Sequence, residues 1–103
     1  MRKSQRRVAD MAARYSLSMD VFARYMDLSA ELGEVGKELL QASDYGLSGM
    51  SMSAALAGEL GDCLFSLLLL GEALKIDMTD SLQTAIKKYE HRWAGKGDIG
   101  SGI

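Results

Sequence analysis

The chain contains no proline, one cysteine and one histidine in 103 residues, and aromatic side chains make up only 7% of it. Each shortage removes a class of protein. Without Pro, no residue forces an interruption in a helix. A single Cys63 builds neither a disulfide framework nor a Cys-rich zinc site, and His91 alone leaves too few imidazoles for a His-based one. Carboxylates are the side chains left to hold a metal ion. Long apolar runs are also missing. The longest unbroken one, Leu67 to Leu70, is far below the roughly 18 residues of a membrane span, so no membrane association is expected. The basic start Met1-Arg2-Lys3-Ser4-Gln5-Arg6-Arg7 is not followed by the apolar stretch of a secretory signal, and a cytoplasmic address is expected.

With 48% hydrophobic and 25% charged residues, the composition is that of one small globular domain. We place it at residues 1–95, with 96–103 as a flexible Gly-rich tail. The formal net charge of −2 hides a segregation. Residues 1–14 carry five basic groups and one acid, whereas residues 20–72 carry nine acids against Arg24 and Lys37. A mainly acidic centre argues against nucleic acid as the partner, because phosphate contacts need a basic face. It suits cations.

Abundant Ala, Leu, Met and Glu with few β-branched residues predict an all-α chain of four helices, about 2–15, 19–43, 53–75 and 79–93. Ser18 is the expected N-cap of the second, Ser51 or Ser53 of the third, and Asp77 or Thr79 of the fourth. Ser43-Asp44-Tyr45-Gly46 and Leu47-Ser48-Gly49 read as a loop. In the second helix Val21, Tyr25, Leu28, Leu32, Val35 and Leu39 recur at steps of four and three, a narrow stripe expected to face a partner helix. The third helix is apolar nearly all round from Cys63 to Leu70. Four short helices scarcely enclose one of their own members, so an obligate oligomer with a shared helical bundle is expected.

Asp27, Glu31, Glu34 and Glu38 form an acidic line beside that stripe, and on their own they read as a solvated helix face. Glu59 and Asp62 do not. They lie three residues apart on a face that continues with Ser66, Leu69, Leu70 and Ala73, and no cation stands within one turn of them. Burying carboxylates there requires a compensating positive charge. If the Glu31/Glu34 face packs toward the Glu59/Asp62 face, four hard oxygen donors converge where Mg²⁺ or Mn²⁺ fits. Glu31-Leu32-Gly33-Glu34 and Glu59-Leu60-Gly61-Asp62 nearly repeat each other, and mid-helix glycines at a cost of about 1 kcal/mol predict a close helix approach beside the acids. Cys63 reads as a small core residue, and the Met residues, Met50 and Met52 among them, as gap fillers.

Glu31-x-x-Glu34, 24 intervening residues and Glu59-x-x-Asp62 resemble the signature of the all-α MazG-like nucleotide pyrophosphohydrolases. Glu59-Leu60-Gly61-Asp62-Cys63-Leu64-Phe65, the exit Lys75-Ile76-Asp77 and the ending Lys88-Tyr89-Glu90-His91-Arg92-Trp93 are similar to the same family, and the likeness covers roughly residues 19–93. The resemblance implies the all-α NTP pyrophosphatase fold and hydrolysis of a (d)NTP to the monophosphate and pyrophosphate, with nucleotide-pool house-cleaning as a role. It implies Mg²⁺, with Mn²⁺ as the alternative, held by Glu31, Glu34, Glu59 and Asp62. Glu31 or Glu34 would orient or deprotonate the attacking water. Lys88 and Arg92, then Lys87, would contact phosphate, and the assembly would be a homodimer or homotetramer. Many members double the first acid of each motif, whereas Ala30 and Gly58 stand there in this chain, and Ile86 replaces an Asn common in relatives. Two other readings remain: a non-catalytic helical oligomerisation module, and a phosphoribosyl-ATP pyrophosphohydrolase-like enzyme.

Overall fold

The computed structural model describes residues 1–43 and 54–96 and folds them into four helices: α1 (Arg2–Arg14), α2 (Val21–Ala42), α3 (Ala54–Ala73) and α4 (Met78–Lys96). The all-α class follows. Boundaries differ from expectation where caps decide them. Asp20, with extended backbone, caps α2 by accepting the Ala23 N–H at 2.9 Å, so the helix starts at residue 21 rather than 19. Ser18 instead accepts the Asp20 N–H at 3.2 Å and shapes the approach to the cap. At α4, Asp77 rather than Thr79 is the cap, its Oδ1 accepting from the Thr79 and Asp80 N–H groups at 2.9 and 3.2 Å. α4 continues past Trp93 to Lys96, because a lone Gly95 costs only about 1 kcal/mol and no Pro follows. The expected Ser51 or Ser53 cap, the loop at 44–49, Met50 and Met52, and residues 97–103 of the tail lie outside the described residues.

α2 and α3 form the main packed pair, α1 lies on a different face of α3, and α4 touches α1 lightly. The α2 seam is not the predicted stripe. Arg24, Leu28, Glu31, Val35, Glu38 and Ala42 are half-buried, again at steps of four and three. Of the expected residues only Val21, Leu28 and Val35 are half-buried, while Tyr25 (55% exposed), Leu32 (57%) and Leu39 face outward. The helix is thus rolled toward its acidic line, which draws Glu31 and Glu38 inward and leaves one apolar flank open.

α3 has three faces. Ser66 and fully buried Leu69 share one side, with Cys63, Leu70 and Ala73 half-buried beside them. Leu68, Gly71 and half-buried Phe65 belong to the side that α1 covers with Val8 and Ala12. The third face, Leu60, Leu64, Leu67 and Leu74, is exposed, so the described residues do not enclose α3. By length and composition alone α3 could cross a bilayer, with a mean hydropathy of 1.6. Glu59 and Asp62 within it are costly in hydrocarbon, and its packing on two helices is that of a bundle member.

The close approach expected at Gly33 and Gly61 is absent: a Cβ at either position would meet nothing within 4 Å. Gly71 is the tight position. A Cβ there would lie 2.6 Å from the Met78 side chain, so the start of α4 rests directly on α3.

The two candidate caps are separable by equilibrium urea unfolding. Asp20→Ala should lower stability by about 1 kcal/mol, and Ser18→Ala by clearly less. Equal losses would contradict the assignment of Asp20.

Candidate active site

Helical spacing sets up the site. Glu31, on the half-buried seam of α2, meets Glu59 and Asp62, which lie one turn apart on α3. One carboxylate oxygen from each of Glu31, Glu59 and Asp62 falls within 4.8 Å of the others. Glu31 and Glu59 are half-buried and Asp62 is exposed, so the cluster sits at the lip of the seam. Glu34 is exposed and outside this trio, though its charge acts on Glu59, as does that of half-buried Glu38.

The electrostatics are one-sided. Burial is the largest effect pushing the Glu59 carboxyl above its usual range, followed by the charges of Asp62, Glu34, Glu31 and Glu38. No lysine or arginine pairs with Glu31, Glu34, Glu59 or Asp62 among the described residues; the ion pairs there are Arg2 with Asp77 and Asp80, and Arg24 with Asp27. Hard oxygen donors converging without a counter-charge fit a divalent cation, and the donor set contains nothing softer that would favour another metal class. The same surroundings hold the Cys63 thiol up, first through burial and then through Glu31, Glu59 and Asp62. Cys63 is a half-buried packing residue.

The basic residues stand apart. Lys88 and Arg92 are one turn apart on α4 and share a flank, where Lys88 Nζ and the Arg92 guanidinium lie 4.7 and 5.6 Å from the Tyr89 ring centroid. Lys87 is exposed and turned about 100° away from Lys88 around the helix. α4 has no substantial packing contact with α2. Concavities of about 420 Å³ beside α1 and 550 Å³ along α4 do not include the carboxylates either. Within the chain the acids converge, and Lys87, Lys88 and Arg92 on α4 do not pack against them.

Arg24 is the residue that the charge pattern passed over. Its side chain is only 13% exposed, it holds Asp27 at 2.9 Å, and its buried Nε has no partner among the described residues. The seven-residue steps from Arg24 to Glu31 and Glu38 were the available signal, since they place all three on one face.

A family model for the MazG nucleotide pyrophosphohydrolase domain matches residues 23–94. The chain belongs to this family. Neither a curated protein nor a solved structure matches it. The matched stretch of this MazG domain contains Glu31, Glu34, Glu59, Asp62, Lys87, Lys88 and Arg92, and leaves α1 outside. Membership points to nucleotide pyrophosphohydrolase activity, which in this family generally depends on a divalent metal. The unpaired carboxylates of the MazG domain fit that dependence.

Ionised Glu59 opposes folding of the metal-free protein, because its folded-state carboxyl binds protons more readily than the unfolded one. Stability should therefore rise as pH falls from neutral through that raised pKa. Glu59→Gln should melt higher than wild type in chelator at neutral pH. It should also lose most of the metal-induced rise, which in wild type should reach about 5 °C with saturating Mg²⁺ or Mn²⁺. Thermal melts of both proteins, with chelator and with metal, read both effects.

Proposed function

We propose that this MazG domain is a Mg²⁺-dependent pyrophosphohydrolase that converts a (d)NTP and water to the (d)NMP and pyrophosphate, in keeping with nucleotide-pool house-cleaning in the cytoplasm. The observation that carries the reading is the convergence of Glu31, Glu59 and Asp62 with no basic residue to neutralise them. Glu31, Glu59 and Asp62, with Glu34 beside them, would hold Mg²⁺ or Mn²⁺. A divalent ion there would neutralise triphosphate charge and polarise the phosphorus under attack. Glu34 is the freer carboxylate, exposed and outside the close trio, and is the better placed of Glu31 and Glu34 to orient the attacking water and accept its proton. The bond formed is from water oxygen to phosphorus. The bond broken is the α–β anhydride, and pyrophosphate leaves.

The phosphate contacts fall to Lys88 and Arg92, with Lys87 a lesser contributor. Because α4 does not pack on α2 in its own protomer, a second copy supplies them in the proposed homodimer or homotetramer. The open flank Tyr25, Leu32 and Leu39 of α2, the bare Leu60, Leu64 and Leu67 of α3, and the exposed stripe Leu82, Ile86, Tyr89 and Trp93 of α4 supply apolar surface for such an assembly.

A panel of NTPs and dNTPs should yield pyrophosphate and monophosphate only with Mg²⁺ or Mn²⁺ present. Glu34→Gln and Asp62→Asn should each lower kcat at least about 100-fold while unfolding normally. Full activity in both variants removes the assigned site. Light scattering after size exclusion should report a dimer or tetramer, and Leu64→Glu should shift it toward monomer with loss of activity. A wild-type monomer with full activity contradicts the shared assembly.

A further inference from the structure

α1 lies outside the residues matched to the family and on a different face of α3 from the carboxylates, yet it grips the turn that launches α4. Gln5 is only 5% exposed, an unusual depth for a polar residue near the start of a basic helix. Its Nε2–H donates to the Ile76 carbonyl at 2.7 Å, and its Oε1 accepts the Met78 N–H at 2.8 Å. One amide thus reads the backbone on both sides of Asp77. Beneath it the Met78 side chain fills the space over Gly71, and the Gln5 amide nitrogen lies 3.6 Å from a Cβ placed there. The turn itself is held tightly: Lys75 adopts a left-handed φ of 58°, and the Ile76 N–H reaches back to the Gly71 carbonyl at 2.8 Å.

Arg2 adds ion pairs to Asp77 Oδ2 at 2.8 Å and Asp80 Oδ1 at 2.6 Å. That guanidinium is 56% exposed, and exposed pairs contribute little. Gln5 differs, because its loss leaves a part-buried N–H and a part-buried C=O without the partners they have now.

We propose that α1 is a strap that aims α4 and that Gln5 is its positioning residue. The idea rests on the reading of Lys88 and Arg92 as phosphate contacts. At 1.5 Å per residue they lie about 15 and 21 Å along α4 from Met78. A tilt of roughly 10° at the Gln5 clasp displaces Arg92 by roughly 3–4 Å, more than a hydrogen bond tolerates. Within the chain α4 is held mainly at its start, by α1 and by the seat of Met78 on Gly71, so the clasp sets the direction in which the two cations leave that turn.

The test pairs a distance with a kinetic split. Nitroxides at Ser29→Cys on α2 and Thr84→Cys on α4, in a Cys63→Ser background diluted with unlabelled protein, report the direction of α4 by pulsed dipolar spectroscopy. Gln5→Ala, which removes both bonds, and Gln5→Glu, which keeps the size but loses the donor when ionised, should each shift or broaden that distance by several ångströms. In unlabelled protein both should raise KM for the triphosphate about tenfold, with kcat within about threefold of wild type. Arg2→Ala should leave both readouts nearly unchanged. A wild-type distance in either folded Gln5 variant overturns the strap, and a moved distance with an unchanged KM overturns its positioning role. If wild-type protein hydrolyses no triphosphate, the enzyme reading falls and the distance alone decides.

Discussion

The carboxylates of Glu31, Glu59 and Asp62 come within 4.8 Å of one another on the seam between α2 and α3, and that arrangement is repulsive until a cation joins it. Apolar helices normally meet through side chains that gain by leaving water. Here α2 rolls so that Arg24, Glu31 and Glu38 share the seam with Leu28, Val35 and Ala42, and Glu59 answers from α3 with a carboxyl made harder to ionise by burial and by its neighbours. A fold that holds acids in this way gives up stability to their repulsion, and a divalent cation of the kind the MazG family generally depends on would offset it.

That roll has a second consequence. Turning the acidic line inward turns Tyr25, Leu32 and Leu39 outward, and on α3 the row Leu60, Leu64 and Leu67 is left bare as well. The site and the open apolar surface therefore have a common origin in the angle at which α2 lies on α3. α4 shows the same incompleteness, since its apolar stripe and the Lys88/Arg92 pair, braced on Tyr89, both project away from the acids of their own chain. The acidic cluster is assembled within the chain, and the Lys88/Arg92 pair is carried on a separate helix that leaves the α3–α4 turn.

Much of this was legible along the chain. The absence of Pro and the composition foretold four helices, the three-residue steps in Glu31-x-x-Glu34 and Glu59-x-x-Asp62 placed each acidic pair on one helix face, and the all-round apolarity of α3 foretold a helix with more apolar faces than the chain's other helices cover. Local competition defeated the rest. Ser18 and Asp20 are both good caps, and Asp20 won because its side chain stands next to the first helical residue and reaches the Ala23 N–H. Gly33 and Gly61 looked like contact glycines because they flank the acids, but Gly71, with no motif around it, is the one that Met78 covers.

The sequence alone determined which residues share a helix face, because 100° per residue is a property of the backbone and needs no neighbour. Helix content and the two acidic pairs follow from that periodicity and spacing, and the family-model match over residues 23–94 shows the MazG family. Only the tertiary structure decided which face of α2 meets α3, that Glu31 rather than Glu34 joins the close trio, and that Gln5 grips the backbone between Ile76 and Met78. The rotation of one helix against another is set by the sum of all contacts across the interface, and a hydrogen bond between residues 5 and 76 exists only after the chain has brought them together.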